Sequence, residues 1–340
     1  MAMDIKPDTW TDGNFDEVKD HNADRALRPK TFADFPGQDS TLEKLKISVQ
    51  AARSRKSSLD HVLLSGPPGL GKTTLAQILA NEMEVPFKAT SAPAISRKGD
   101  LAALLTSLEP NSILFIDEIH RLHSDIEEYL YSAMEDFFID LITGEGLGAQ
   151  SMRFQISPFT LVGATTRSGL LKAPFRDRFG IHERLQFYTP EALVQIISRS
   201  THLLDIQLDT DSQMEVAKRS RGTPRVANRF LRRIRDYAEV QGQKIVNKDL
   251  ADYALKHMEV DEMGLERMDR AYLWVLKTKF SGGPAGLDTM AAALSEERDT
   301  LEDVYEPFLI KEGMIRKTPR GREITERGEE HLNSSQFVDF

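Results

Sequence analysis

Hydrophobic and polar positions change period along this chain, and the changes divide it into stretches of different character. Leu42, Leu45, Val49 and Ala52 recur at helical spacing behind Ser40-Thr41-Leu42-Glu43, which reads as a capping box. Apolar runs then follow at 61–65, 85–90, 112–117, 159–165 and 184–188, with helical stretches between them. Strands alternating with helices predict a parallel sheet wrapped by helices, with any ligand at the carboxyl ends of the strands. After Tyr188 the strands stop. Thr189-Pro190-Glu191 places an N-cap before a proline at the first helical position, and 189–258 reads as wholly helical. Beyond Asp261 the pattern predicts helices at 268–280, 288–296 and 300–310, a break at Ser281-Gly282-Gly283-Pro284, and two short strands around Pro319-Arg320-Gly321. Residues 1 to about 25 are polar and acidic without periodicity and read as a disordered arm.

Composition sharpens this picture mainly by exclusion. A chain of 340 residues with 40% hydrophobic and 29% charged positions is of ordinary globular make-up and long enough for more than one core. The formal net charge of -9 excludes a generally basic nucleic-acid binder but leaves room for a local basic surface. With no cysteine there are no disulfides and no thiolate metal sites. No apolar run approaches the ~20 residues of a membrane span, and the N-terminus has no apolar signal core. A cytoplasmic address, away from membranes, is expected.

The chemistry begins at Gly66-Pro67-Pro68-Gly69-Leu70-Gly71-Lys72-Thr73-Thr74, which sits between the first apolar run and a helical stretch. Strand, glycine-rich loop and helix with G-x-x-x-x-G-K-[ST] form a phosphate cradle. Backbone N–H groups and the helix N-terminus meet phosphate oxygens, Lys72 reaches the β- and γ-phosphates, and the Thr73 hydroxyl binds Mg²⁺. Ile113-Leu114-Phe115-Ile116-Asp117-Glu118 is an apolar strand ending in two carboxylates. Asp117 suits a metal held through water, and Glu118 suits a group that polarises an attacking water. His120 and His123 lack a clear third ligand and read as part of a polar helix face. Position 120 is His where GTPases carry Gly, and Asn247-Lys248-Asp249 has its Asp one place too early for guanine, so ATP is favoured.

Thr160-Leu161-Val162-Gly163-Ala164-Thr165-Thr166-Arg167 is a further apolar strand ending in hydroxyls, which could bring Thr166 near the γ-phosphate. Arg176-Asp177-Arg178-Phe179 fits an arginine finger. Gly222-Thr223-Pro224-Arg225 opens a helix and puts Arg225 in its first turn, where guanidinium and helix dipole can both meet a phosphate. Val226, Phe230, Leu231 and Ile234 form that helix's buried stripe, and Arg229, Arg232, Arg233 and Arg235 read by default as its solvated face, with a basic surface as the alternative.

Together these segments resemble AAA+ ATPases and, more closely, the RuvB family of Holliday junction branch-migration motors. The resemblance rests on Leu27-Arg28-Pro29-Lys30, the phosphate loop at 66–74, 114–122, 163–167, 176–180, 222–229 and Thr318-Pro319-Arg320-Gly321-Arg322, in order between about residue 25 and 327. It implies an α/β fold: a P-loop AAA+ core with a parallel sheet at 26–188, an all-helical lid at 189–259 and a C-terminal winged-helix domain at 260–340.

The implied roles are carried residue by residue. Gly69, Leu70, Gly71, Lys72, Thr73 and Thr74 bind ATP, and Thr73 and Asp117 hold Mg²⁺. Glu118 activates water, Thr166 is sensor 1, Arg225 is sensor 2, and Leu27, Arg28 and Tyr188 line the adenosine pocket. Arg178 is the finger that acts on a neighbouring subunit, with Arg176 the second candidate, and Glu135, Asp136 and Phe137 fall among the nucleotide contacts. A protruding hairpin at 141–157 docks on the junction-binding partner RuvA through an apolar anchor, for which Leu147 and Met152 are suited. Arg298, Lys317, Arg320 and Arg322 meet the phosphate backbone of double-stranded DNA; Lys317 stands where the family tends to have arginine, which keeps charge and loses bidentate geometry.

The implied function is ATP-driven branch migration of four-way junctions by a homohexameric ring working with RuvA and the RuvC resolvase. The competing expectation is an ATP-switched DNA-binding regulator or loader without translocation. A protein unfoldase would need an aromatic-glycine pore-loop pair, which this sequence does not show.

Overall fold

The strands of the first two thirds are, in chain order, Val62–Ser65 (β1), Phe87–Ser91 (β2), Ile113–Asp117 (β3), Phe138–Thr143 (β4), Gln150–Gln155 (β5), Thr160–Thr165 (β6) and Ile181–Arg184 (β7). In the computed structural model, which describes residues 27–143 and 150–334, five of them form one parallel sheet in the order β2-β3-β6-β1-β7. Alternate side chains of these strands enter opposite hydrophobic layers. Ile113 and Phe115 of β3 face one layer with Val62, Leu64, Val162 and the helix Lys72–Met83. Leu114 and Ile116 face the other, with Leu63, Leu161 and the helices Lys98–Thr106 and Ser124–Glu135. Burial on both faces explains why β3 and β6 read as continuous apolar runs.

Two local readings of the sequence need correction. The helix Asp39–Arg55 starts at Asp39 with Gln38 as its cap, so Ser40 lies inside it and no capping box forms. Gln38 is clamped instead to the backbone of Gln186, donating to its carbonyl at 2.8 Å and accepting from its N–H at 3.1 Å. Thr41 donates to Glu183 at 2.8 Å. The fifth strand lies at 181–184 rather than 184–188, paired from Val62↔Ile181 to Ser65↔Arg184. As an edge strand it is half polar, and the apolar Leu185 and Tyr188 beyond it fill the core under the following domain.

β4 and β5 pair as an antiparallel hairpin from Phe138↔Gln155 to Thr143↔Gln150. Met152 is half exposed on it, whereas Leu147, which falls between the two strands in sequence, and the N-terminal stretch read as an arm lie outside the described residues.

The helical unit comprises Pro190–Leu203, Thr210–Arg219, Pro224–Val240 and Lys248–His257. It is not wholly helical: Gln207–Leu208 (β8) and Ile245–Val246 (β9) pair in parallel between the helices. The Thr189 side chain caps the first helix by accepting from the Ala192 N–H. Leu193, Ile197, Phe230, Leu231 and Ile234 join the same hydrophobic layer as β1 and the helix Lys72–Met83, so lid and core share one cluster.

The last unit has its own cluster, around Tyr272, Leu273, Leu276, Met290, Leu309 and Met314. Helices Arg267–Lys279 and Leu287–Leu294 precede a continuous helical run, and the hairpin Ile315–Thr318 (β10) and Gly321–Ile324 (β11) forms the wing. That run widens into a π turn at Leu301–Tyr305 just before Pro307. Proline has no N–H to donate to the carbonyl four residues back and its ring would collide with it, so the ladder opens there. Among the described residues no helix is long and apolar enough to cross a membrane.

Candidate active site

Adjacency in the sheet assembles the site. β3, β6 and β1 are neighbours and parallel, so Asp117-Glu118, Thr165-Thr166 and the loop after Ser65 emerge side by side at one edge. The loop passes through left-handed backbone at Gly66 and Gly69, with φ of 134° and 80°. A side chain at Gly66 would come within 2.7 Å of the Leu185 carbonyl, and one at Gly69 within 3.2 Å of Arg225. Glycine alone relieves both constraints, and a turn of this kind converges N–H groups on an anion.

In front of the loop opens a cavity of about 560 Å³, lined among others by Leu27, Arg28, Gly69, Leu70, Gly71, Lys72, Thr73, Thr74, Asp117, Glu118, Tyr188 and Arg225. Those residues were each expected at a nucleotide, and the fold brings them to one place. The Lys72 ammonium donates to the carbonyls of Gly66 at 2.7 Å and Pro67 at 2.9 Å, closing the cradle on itself. Thr73 and Asp117 offer the hard oxygen ligands that Mg²⁺ prefers, so the residues fit the metal. At the other end the Tyr188 hydroxyl donates to the Leu70 carbonyl at 3.2 Å, and burial pushes its pKa well up, keeping it protonated. The Arg225 N–H points to the Gly69 carbonyl at 3.4 Å, which docks the lid helix Pro224–Val240 onto the phosphate loop.

Electrostatics single out Glu118. Burial and the adjacent Asp117 raise its pKa, and Lys72 opposes them. A raised carboxylate pKa is what a general base for water requires. Thr166 lies 3.5 Å from the Glu118 carboxylate. His120, read above as part of a polar face, is instead buried beside the same group. Its Nδ1 is 3.3 Å from Glu118 and 2.9 Å from the Thr165 hydroxyl. Burial lowers the His120 pKa, which favours the neutral ring beside the carboxylate. Among the described residues no cluster suits a metal held by histidines.

Sequence reasoning also missed Arg199, Gln195, Ile196 and Asn228, which line the cavity from the lid. Arg199 donates at 2.6 Å to the Leu27 carbonyl and at 3.4 Å to that of Arg28, tying the lid to that segment. Helical spacing could have placed Gln195 and Arg199 on one face, but nothing in the lid's own pattern said what that face meets.

Other expected residues lie elsewhere. Arg178 does not line this cavity. It pairs with Glu135 at 3.2 Å, donates to the Pro174 carbonyl at 2.6 Å and stacks 4.3 Å over the Tyr131 ring. Glu135, Asp136 and Phe137, expected among the nucleotide contacts, are likewise absent from the lining of this cleft. Glu135 belongs to the Arg178 surface because the helix Ser124–Glu135 ends there, away from the phosphate loop.

On the wing, Lys317 pairs with Glu302 at 3.1 Å and Glu306 at 2.8 Å. Arg322, nearly buried, pairs with the same carboxylates at 3.3 and 2.8 Å. Burial alone would raise the Glu306 pKa, but hydrogen bonds from Arg322, Lys317 and Tyr272 hold it below the usual carboxylate range. The wing strand therefore looked more basic in sequence than it is, because Glu302 and Glu306 arrive from a different helix. Arg298 pairs with exposed Asp288 at 3.1 Å. Arg320 is exposed at the hairpin turn.

A parallel-sheet phosphate-loop core, a helical lid docked on that loop and a winged-helix unit define a P-loop ATPase of the AAA+ class. Comparison with known proteins narrows this. Residues 27–185 match the Holliday junction DNA helicase RuvB P-loop domain, 188–261 the RuvB AAA lid domain, and 262–333 the RuvB C-terminal winged helix domain. The chain is 66% identical over 300 residues to the Holliday junction branch migration complex subunit RuvB of Bdellovibrio bacteriovorus, covering 88% of this chain and 91% of that protein. It is 57% identical over 324 residues to the subunit of the same name from Paramagnetospirillum magneticum, covering 95% and 93%. The solved Thermotoga maritima RuvB Holliday junction branch migration motor superposes with a TM-score of 0.84 at 46% identity, over 91% of this chain and 99% of that one. The chain belongs to the RuvB family.

Burial brings the Lys72 pKa down to about 8, with Glu118 and Asp117 opposing the shift. The protonated form is the one that a triphosphate stabilises. In the free protein the lysine loses its proton as pH rises through about 8, so nucleotide binding there must take one up. ATP affinity is expected to fall as pH climbs past that value, with net proton uptake in titration calorimetry run in two buffers of different ionisation enthalpy. Zero uptake near pH 8.5 would contradict the depressed lysine.

Proposed function

We propose that this chain is an ATP-driven motor subunit that moves double-stranded DNA through four-way junctions as part of a homohexameric ring. The observation that carries the reading is a division of labour. Phosphate loop, metal-side carboxylate, water-activating carboxylate and lid arginine meet around one cleft, while Arg178 lies on a different surface. An arginine finger so placed serves a cleft other than its own, and that supports a site completed between neighbouring subunits.

The chemistry follows from the residues. Loop N–H groups, Lys72 and Arg225 grip the phosphates, and Leu27, Arg28 and Tyr188 enclose the adenosine. Thr73 and Asp117 would hold Mg²⁺, which when bound neutralises charge on the phosphate oxygens. Glu118, oriented by His120 and Thr166, takes the proton of the attacking water. Arg178 released from Glu135 would reach the neighbour's γ-phosphate, and Glu135, Asp136 and Phe137 beside it would meet the same nucleotide from that side. Hydrolysis would alter the angle between core (26–188) and lid (189–259), and the domain at 260–340 would draw the duplex backbone along.

Duplex contact is proposed through the wing, where Arg320 is the freest cation and Lys317, Arg322 and Arg298 must share their charge with carboxylates. The hairpin β4–β5, with Met152 half exposed, suits docking on RuvA, and Leu147 belongs to the same proposal. RuvC would join at the junction, in the cytoplasm.

Mixing two inactive variants tests the shared site. Arg178→Ala subunits lose the finger and Lys72→Ala subunits lose phosphate binding, yet a mixed ring contains intact composite sites. Hydrolysis by the mixture should recover to a fraction approaching one quarter of wild type, and no recovery would mean that Arg178 acts within its own subunit. For the wing, Arg320→Ala should weaken duplex binding alike at all sequences and reduce the salt slope by about 1. An unchanged slope would remove the turn from the interface.

A further inference from the structure

A second cavity, of about 490 Å³, lies behind the phosphate loop and is lined by Gly66, Pro67, Thr166, Arg167, Glu302, Asp303 and Lys317 among others. It joins three parts that chemistry would otherwise treat separately: the phosphate loop, the end of β6 and the DNA-side domain. Arg167 spans it. Its Nε donates to Asp303 at 2.6 Å, and its Nη2 lies 3.2 Å from Asp299 and 3.4 Å from Glu302. Arg167 directly follows Thr166, and its N–H donates to the Thr165 hydroxyl that also meets His120. Any shift of the γ-phosphate side of the site is therefore carried into this side chain through the backbone.

Glu302 is the shared element. Its Oε2 faces Arg167, while its Oε1 accepts from Lys317 at 3.1 Å and from Arg322 at 3.3 Å. Glu302 and Asp303 sit on the π turn that Pro307 enforces, and such widened turns recur where a helix must present side chains for function. Asp303 also reaches the site electrostatically: its charge favours the protonated forms of Lys72, Glu118 and His120.

We propose that Arg167 is a positioning residue that couples the hydrolytic site to the DNA-binding wing through the shared carboxylate of Glu302. When a duplex phosphate draws Lys317 outward, Glu306 and the Oε1 side of Glu302 both lose that partner; Glu306 keeps Arg322 and Tyr272, while the charge of Glu302 falls more heavily on Arg167. Arg322 stays behind, because the fully buried Glu306 would otherwise be left without its guanidinium. The grip on Arg167, and through it the placement of Thr166 against Glu118, then depends on whether DNA is held. This inference rests on the reading of the chain as a junction motor whose wing meets duplex backbone.

The test measures strand exchange on a synthetic four-way junction with RuvA, and ATP hydrolysis in the same reaction, and takes their ratio. Arg167→Glu faces Asp299, Glu302 and Asp303 with a like charge and should lower the ratio about tenfold, the size of coupling found within one salt-bridge network. The milder Asp303→Asn should lower it about threefold on the same grounds. The double variant Arg167→Glu with Asp303→Arg restores an opposite-charge pair and should return the ratio to within about twofold of wild type. A merely structural role would lower exchange and hydrolysis together and leave their ratio at the wild-type value in every variant. Single variants with a wild-type ratio, or a double variant no better than Arg167→Glu alone, would overturn the coupling. Wild-type protein that fails to move the junction with ATP would instead overturn the motor reading, and the coupling with it.

Discussion

The structure depends on the parallel pairing of β3, β6 and β1 between two hydrophobic layers. Each layer takes alternate side chains of the same strands, so a slip of one residue would turn Phe115 or Leu114 toward the wrong partners. That constraint fixes the register, and the register fixes where the strands end. Asp117, Thr166 and the loop after Ser65 lie together because their strands are neighbours of defined offset. Catalytic geometry is thus a by-product of core packing, and the polar residues need only stand at strand ends.

Two kinds of adhesion hold the remaining parts to this core. The lid shares its hydrophobic cluster and docks Arg225 on the phosphate loop, so the lid packs directly against the cleft. The winged-helix unit has a separate cluster and is tied on by ion pairs. Arg167 links it to the core, and buried Arg221 links it to the lid through Glu266 at 2.9 Å and the fully buried Asp269. Ion pairs can exchange partners where packed side chains cannot, and their strength responds to neighbouring charge. A unit that must answer both to nucleotide and to a polyanion is well served by that second kind of contact.

Much of this was legible in sequence, for identifiable reasons. Strands β1, β3 and β6 are apolar at consecutive positions, and the loop and carboxylate motifs follow them directly, so the nucleotide site could be read before any coordinates. Thr189-Pro190 marked the lid because capping and proline act locally. The edge strand β7 was misplaced because its half-polar Ile181-His182-Glu183-Arg184 lacks a buried signature, while Leu185 and Tyr188 carry one for a different reason. His120 and Arg199 were missed because their roles depend on partners far away in sequence. The wing misled in the opposite direction: its cations are local and visible, whereas the carboxylates that occupy them, Glu302 and Glu306, come from the π turn and the helix that follows it.

The central claim is that hydrolysis at the Glu118 site performs mechanical work on DNA. The most direct measurement is strand exchange on a synthetic four-way junction supplied with RuvA, comparing ATP with a non-hydrolysable analogue, and wild type with Glu118→Gln. The account predicts exchange only with ATP and the wild-type carboxylate, with nucleotide binding retained in the variant. Equal exchange with the analogue would contradict it and leave a nucleotide-switched DNA-binding protein in its place.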